Sequence, residues 1–293
     1  MRADPLYNLG LNTSLDSLTS QLSSGLAVSS PSSNPLAASQ GVALGSAISR
    51  DDAYIQSATS LEGRLQTSDS ALGSAVTEIT SAISLATGGL SGTLTSTNLS
   101  TISTQLSAIR DQVVSLANTG YNGSYLFSGT AGATQPYTTD TTTSPARSTY
   151  AGDTNQQYTE TPSGQKIAVS LPGSAIFSAP GADILGSLNA LIADFATSTP
   201  SSTTASDMNA LSAGLNNLTA QRSVLGSSLA TLQQTSSYAS TDETDLAAAQ
   251  STLVSADPAT IATQLSSTET QQQALMSVMS NLGSKSLFDY MSE

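Results

Sequence analysis

Apolar residues recur at alternating spacings of three and four along most of this chain, which is the pattern of a helix that packs through one face. Stretches with this spacing cover residues 11–22, 35–86, 99–116, 208–253 and 261–282, with a shorter one at 184–195. Gly25, the Gly88-Gly89 pair and Asp257-Pro258 interrupt the pattern, as glycine and proline do at helix ends. The sequence therefore predicts a mainly helical chain.

The second stretch predicts an unusually long helix. It begins at Pro35, with Ser33 or Asn34 as the cap, and runs to about Ala86. At 1.5 Å per residue such a helix is roughly 75 Å long, more than a compact domain holds. Three acidic residues interrupt its apolar register: Asp51, Glu62 and Asp69. Four glycines weaken the helix, each by about 1 kcal/mol relative to alanine: Gly41, Gly45, Gly63 and Gly73.

Residues 124–180 have a different composition, rich in Thr, Tyr, Pro and Gly. Tyr125–Phe127 reads as a short strand, and Gln165–Leu171 alternates like one before Pro172-Gly173. We interpret this region as a small β-rich insert, the alternative being a disordered Thr-rich loop. Because it breaks no helical stretch, we expect deletion of residues 135–178 to leave the helices folded.

The predicted fold class is mainly α: an elongated rod of long antiparallel coiled-coil helices with a small β-rich insert. A Ser/Thr linker ends near Asp207, which we expect to cap the helix of residues 208–253. We call this stretch the returning helix, because the chain runs back along it. The domains expected are an N-terminal assembly helix in 1–40 paired with a C-terminal one in 257–293, helical halves in 41–131 and 181–256, and the insert in 132–180.

The two terminal stretches should be too weak to fold alone. Burying the four leucines of 11–22 would contribute about 6–12 kcal/mol, whereas ordering twelve residues costs roughly 12–24 kcal/mol of backbone entropy. The C-terminal stretch also carries polar Thr268 and Gln272 in register. We therefore expect folding coupled to assembly, the alternative being an ordinary helical hairpin. The candidate assembly residues are Leu11, Leu15, Leu18, Leu22, Ile261, Leu265, Leu275, Met279, Leu282, Phe288 and Tyr290.

Arg222 occupies an apolar position of the returning stretch. If that helix lies antiparallel to the long second one, Asp69 and Glu78 come within reach of it. An ion pair with either carboxylate would fix the register of the two helices. The alternative is a guanidinium that extends to solvent.

Composition excludes several functions. The chain has no Cys and no His, which removes disulfides, thiol nucleophiles and the usual zinc ligands. A net charge of −13, from 21 acidic and 8 basic residues, disfavours nucleic acid. No apolar run is long enough to span a membrane, and the N-terminus lacks the features of a cleaved signal peptide. We interpret the acidic pairs Asp51-Asp52 and Asp242-Glu243 as solvated helix faces, and expect neither enzymatic activity nor a cofactor.

Several motifs resemble the flagellin superfamily, and its hook-associated branch in particular. In the N-terminal half they are residues 21–28, 31–40 and 122–129, reading QLSSGLAV, PSSNPLAASQ and NGSYLFSG. The insert adds Tyr150–Asp153 and Pro172–Phe177. The C-terminal half adds Arg222–Gly226, Asp257-Pro258, Gln271–Leu275 and the ending Ser286–Tyr290.

The resemblance implies a structural subunit that joins the flagellar hook to the filament and acts mechanically. It implies a ring of copies between a sister hook-associated protein and flagellin, outside the cell. It also implies an export chaperone before assembly and export without cleavage of a signal peptide. Two alternatives remain open at this stage: flagellin itself, and a coiled-coil secreted adhesin or translocator.

Overall fold

The computed structural model describes residues 5–28, 32, 34–90, 94–197 and 203–284. Long helices dominate it, and the prediction of a mainly helical chain with a small β-rich insert is confirmed. The helices are α1 (Pro5–Ser24), α2 (Pro35–Gly89), α3 (Ser96–Ala117), α4 (Gly173–Ile176), α5 (Ile184–Ala196), α6 (Thr204–Val254) and α7 (Pro258–Ser284).

The strands of the insert and its flanks form two-stranded antiparallel hairpins. Each pairs neighbours in the sequence, so its contacts are local. The pairs are β1 (Gly120–Tyr121) with β2 (Ser124–Tyr125), β3 (Tyr137–Asp140) with β4 (Arg147–Tyr150), β5 (Tyr158–Glu160) with β6 (Lys166–Ala168), and β7 (Ser178–Ala179) with β8 (Ala182–Asp183).

Capping residues set several helix ends where the sequence suggests them. Asn34 Oδ1 accepts from the backbone N–H of Ala37, 3.1 Å away, at the start of α2. Asp257 accepts from Ala259 N at 3.0 Å and from Thr260 Oγ1 at 2.6 Å, which leaves Pro258 as the first residue of α7. The predicted cap at Asp207 is wrong: α6 begins three residues earlier, and Asp207 N–H donates to the carbonyl of Thr203 within the first turn.

The chain divides into two compact units: residues 1–52 with 240–293, and residues 53–239. We call them the terminal unit and the central unit. In the central unit α2 and α6 run antiparallel, because Tyr54 hydrogen-bonds to Thr235 whereas Asp69, further along α2, contacts Arg222, which lies earlier on α6.

A strict seven-residue repeat forms the core of the central unit. It places the same position of every second helical turn in the interface, as in a coiled coil. The buried positions of this repeat are Ala58, Leu65, Leu72, Ile79 and Ala86 on α2, and Leu211, Leu218, Leu225, Leu232 and Ala239 on α6, and the small side chains of Ala75 and Ala82 between them are buried as well. Leu106 and Val113 of α3 and Leu188 and Phe195 of α5 complete the cluster.

The insert belongs to this same core. Tyr137, Ile176 and Phe177 are buried in the cluster formed by the helices. Asn118, just after α3, bonds both backbone groups of Tyr137, and Asn217 of α6 donates to the carbonyl of Ala175 at 2.8 Å. The expectation that residues 135–178 can be deleted is therefore not supported, because their removal would open the helical core.

Candidate assembly interface

In the terminal unit, α1 and α7 pack side by side in antiparallel orientation. Gln272 Nε2 donates to Asn12 Oδ1 at 2.7 Å near the start of α1. Towards the end of α1, Leu18 and Gln21 line one groove together with Gln264 and Thr268. The residue numbers thus rise along α1 as they fall along α7.

The apolar seam between α1 and α7 is only half closed. Ile261 is buried, but the other contributing side chains keep part of their surface exposed. The structure brings together, in this half-buried state, Leu11, Leu15, Leu18, Leu265 and Leu275. A two-helix pair cannot cover a wide apolar arc, so the seam offers surface to further helices.

The remaining predicted interface residues are either exposed in the single chain or not among the described side chains. Leu22 and Met279 stay 42% and 39% exposed. Leu282 lies in α7, but its side chain is not among those described, and Phe288 and Tyr290 lie outside the described residues.

Polar residues occupy part of the seam. Thr268 and Gln272 are half-buried in register with Leu265 and Leu275, as their spacing predicts. The sequence analysis missed Asn12, the partner of Gln272, because a polar residue on an exposed flank of a helix gives no signal by itself. A single polar contact in an apolar seam can fix the register of two helices.

The end of α1 is tied to the end of α6 through the backbone. Gly25 ends α1 with φ of +70°, a left-handed conformation that glycine adopts without strain. The chain then pairs with the last residue of α6 and with a residue just beyond it: Ala27 N–H donates to Val254 O at 2.7 Å, and Ala256 N–H donates to Gly25 O at 2.9 Å. Sequence reasoning missed this link, since backbone pairing between distant segments leaves no pattern of its own.

An apolar groove lies beside this link, and the sequence analysis did not anticipate it. Leu26, Val28, Ala37, Val42 and Val254 line it. Two glycines of α2 allow α6 to approach closely on its floor. Val254 Cγ2 lies 3.4 Å from where a Cβ on Gly41 would stand, and Gln250 Nε2 lies 3.1 Å from the same point on Gly45. The i, i+4 spacing of these glycines could have indicated a close helix–helix contact. The sequence analysis concluded from them only that the long helix is locally weaker.

The comparisons with known proteins agree with this architecture. The model of the bacterial flagellin N-terminal helical region matches residues 8–132, and that of the bacterial flagellin C-terminal helical region matches residues 208–291. Together these regions comprise more than half of the chain.

The chain belongs to the flagellin family.

Among curated members of the family, flagellar hook-associated protein 3 of Salmonella typhimurium is 35% identical over 113 residues, covering 38% of this chain and 36% of the relative. The match thus spans about a third of that relative's length. A solved structure from Vibrio parahaemolyticus, named for a flagellar hook-associated protein, has a TM-score of 0.64 at 23% identity and covers 75% of this chain and 99% of its own. The flagellar junction protein FlgL of Legionella pneumophila has a TM-score of 0.54 at 14% identity, over 64% and 97%. At these identities the structures establish the fold.

Asp51 of this flagellin-family chain is buried, contrary to expectation. Asp51 of α2 is only 6% exposed, so the prediction that the Asp51-Asp52 pair forms a solvated face is wrong for its first member. Burial raises the pKa of Asp51, and the charge of Asp242 on α6 and a hydrogen bond with its carboxyl raise it further, against a smaller lowering by Arg50. The antiparallel packing of α2 and α6 brings the two carboxyls together.

The structure places Arg222 against Asp69 and not against Glu78. Nε donates to Oδ1 at 2.7 Å and Nη2 to Oδ2 at 3.0 Å, a bidentate pair that is part exposed. These hydrogen bonds and the charge of Asp69 raise the pKa of Arg222. Among the described residues, no ion pair joins Arg222 to Glu78.

Within the described part of the chain, no helix contains an apolar stretch that would reach across a lipid bilayer. This part also contains no group of three or more Asp, Glu, His or Cys side chains that could hold a metal ion. The α1–α7 seam and the apolar groove leave apolar surface that further helices can cover.

Proposed function

We propose that this protein is a structural subunit of the bacterial flagellum that joins the hook to the filament. The observation that carries the proposal is the half-closed α1–α7 seam in a chain of the flagellin family. The hook-associated and junction names of the relatives, together with the matching motifs in residues 21–40, favour the junction over the filament.

The mechanism is mechanical. Each copy contributes one α1–α7 pair, and neighbouring copies cover the half-buried leucines that a single pair leaves exposed. Because the single α1–α7 pair leaves its leucines half-buried and only the assembly covers the rest, the terminal helices become ordered as the ring forms. The heptad-packed central unit has a buried core of its own, so we expect it to fold without a neighbour.

The proposal includes the partners that this position requires. Copies of the chain form a ring, a sister hook-associated protein lies on the hook side, and flagellin lies on the filament side. Before assembly an export chaperone binds the chain, which leaves the cell without cleavage of a signal peptide. The subunit therefore works outside the cell.

Electron microscopy of cells that lack the gene tests the proposal. We expect hooks without filaments and flagellin shed into the medium, both reversed by the intact gene. Filaments of normal length on the deletion strain would contradict the junction role.

Labelling of the subunit separates the junction from the filament. The chain has no cysteine, so a Tyr158→Cys variant carries a single thiol at an exposed position of β5 for maleimide–gold. Gold confined to the boundary between hook and filament supports a junction protein. Gold along the whole filament would show instead that the chain is flagellin, the filament subunit.

A further inference from the structure

The apolar groove of the terminal unit leaves apolar side chains exposed in the single chain. Val42 is 71% exposed at its rim, and Leu26 and Leu36 nearby are exposed as well. All the described side chains that line the groove are uncharged. Gly41 and Gly45 have no side chain to fill it, so α6 packs closely against α2 at its base. A shallow, neutral, apolar channel of this kind fits one flank of a helix.

A second exposed apolar surface lies near the other end of the same unit. Met276 and Met279 are adjacent on α7, one turn apart, and stay 55% and 39% exposed. Residues 270–284 carry no charge. Methionine is flexible and polarisable, so a Met pair adapts to an irregular apolar channel. We call Met276 and Met279 the α7 patch.

The groove and the α7 patch cannot meet within one chain. Val254 and Ser255 line the groove immediately before α7 begins at Pro258, and Met276 follows 18 residues later. At 1.5 Å per residue this separates them by about 27 Å along a rigid helix. A second copy shifted by that distance along the helix axis would bring its α7 patch onto the groove.

We propose that the groove of one copy binds the α7 patch of the next. This inference rests on the proposed function, because it supplies a contact for the assembly proposed above. The two surfaces are different, so the contact is heterologous: each copy uses its groove on one side and its patch on the other. Such contacts repeat from copy to copy, whereas a groove that bound another groove would stop at a dimer.

Disulfide trapping in isolated flagella tests the contact in the full chain, which has no cysteine of its own. The double variant Val42→Cys with Met276→Cys is expressed in cells that lack the gene, and the flagella are mildly oxidised. We expect a reducible ladder of dimers and longer oligomers, since every copy carries both halves of the contact. The amount of disulfide-linked oligomer should exceed that of the control pairs described below by at least about ten-fold, because a specific contact raises the effective concentration of one cysteine at the other.

Two matched control pairs use neighbours that face other directions. Ala43→Cys replaces the groove position with the next exposed residue of α2, and Val278→Cys replaces the patch position with a residue on the opposite flank of α7. Each is combined with the unchanged partner cysteine. If only the double variant fails to enter flagella while both control pairs enter, the contact is also supported, because these side chains are exposed in the single chain.

Three results would overturn the inference. Dimers from Val42→Cys alone or from Met276→Cys alone would show like-with-like contacts. Equal ladders from the control pairs would show random collision. No ladder from a double variant that is present in flagella would exclude this contact and leave the proposed function intact. Failure of the proposed function is read separately, from the gold label of Tyr158→Cys.

Discussion

Arg222 on α6 holds the carboxylate of Asp69 on α2 with two hydrogen bonds, in the middle of two antiparallel heptad repeats. The guanidinium also lies over Gly73, with its Cζ, Nη1 and Nη2 atoms 3.3–3.5 Å from where a Cβ would stand. Neighbouring positions on both helices are buried apolar residues such as Leu72 and Leu225. A slip of either helix by one turn would separate the charges, so the pair favours one register.

A double-mutant cycle measures this pair. Because both side chains are part exposed, we expect Arg222→Met and Asp69→Asn to show a coupling of about 0.5–1 kcal/mol in the free energy of unfolding by urea. High salt should reduce it. The control cycle pairs Arg222→Met with Glu78→Gln, for which no coupling is expected. A coupling with Glu78 equal to that with Asp69 would refute the assignment.

The insert should be required for the stability of the central unit. Phe177 is fully buried, and its ring packs edge-on against Phe127 at 5.7 Å between centroids. Phe177→Ala should therefore destabilise the unit by about 3–5 kcal/mol. Tyr158→Ala, at an exposed position of the same insert, should change stability by less than about 0.5 kcal/mol. Equal midpoints of thermal unfolding for the two variants would mean that the insert is separable after all.

The α1–α7 seam should be needed for assembly and not for folding of the central unit. Leu18→Asp places a charge where neighbouring copies bury the seam, at a cost of several kcal/mol per copy. We expect loss of motility, with the circular dichroism of the central helices retained. Thr19→Asp adds the same charge at the adjacent exposed position and should leave swimming unchanged. Normal swimming of the Leu18→Asp strain would show that the seam is not the assembly surface.

Limited proteolysis should find the terminal unit weakly protected in dilute protein. The seam that joins α1 to α7 is half-buried, so little apolar burial opposes local opening. We expect trimming up to about residue 40 and back from about residue 257, with a stable helical core. Assembled protein serves as the control and should resist cleavage. Survival of residues 11–22 and 261–282 in the dilute sample would contradict folding coupled to assembly.

Asp51 should make stability depend on pH. Its folded pKa lies above the ordinary 3.8, so the folded state binds the proton more tightly than the unfolded state. The resulting stability is fully present below pH 3.8 and is lost as the pH rises through the folded pKa. Asp51→Asn should therefore raise the melting temperature at pH 7 and flatten its dependence on pH.

Asp52→Asn is the matched control for this substitution, because Asp52 is exposed beside Asp51. Melting curves between pH 4 and pH 7 give the comparison. If Asp51→Asn lowers stability at pH 7, or if Asp52→Asn reproduces its effect, the buried carboxyl of Asp51 does not control this dependence.

The sequence by itself determined the long helices and most of their ends to within a few residues, although α1 begins six residues before its predicted stretch. Helix formation is local, and the three–four spacing of apolar residues, the caps and the Gly and Pro residues are all written along the chain. The long helix from Pro35 and the helix that starts at Pro258 follow directly from such signals. The three–four spacing of apolar residues along α2 and α6 also indicated which face of each helix packs, because it repeats on one side of the helix.

Only the tertiary structure decided how distant segments meet. The burial of Asp51 against Asp242, the bond between Asn12 and Gln272, and the choice of Asp69 over Glu78 by Arg222 all depend on the register of paired helices. A slip of one helical turn changes each partner but leaves the apolar pattern of each helix unchanged. The packing of Phe177 into the helical core likewise depends on how the insert folds back against the helices. The sequence of the insert has no periodic apolar pattern that would predict this packing.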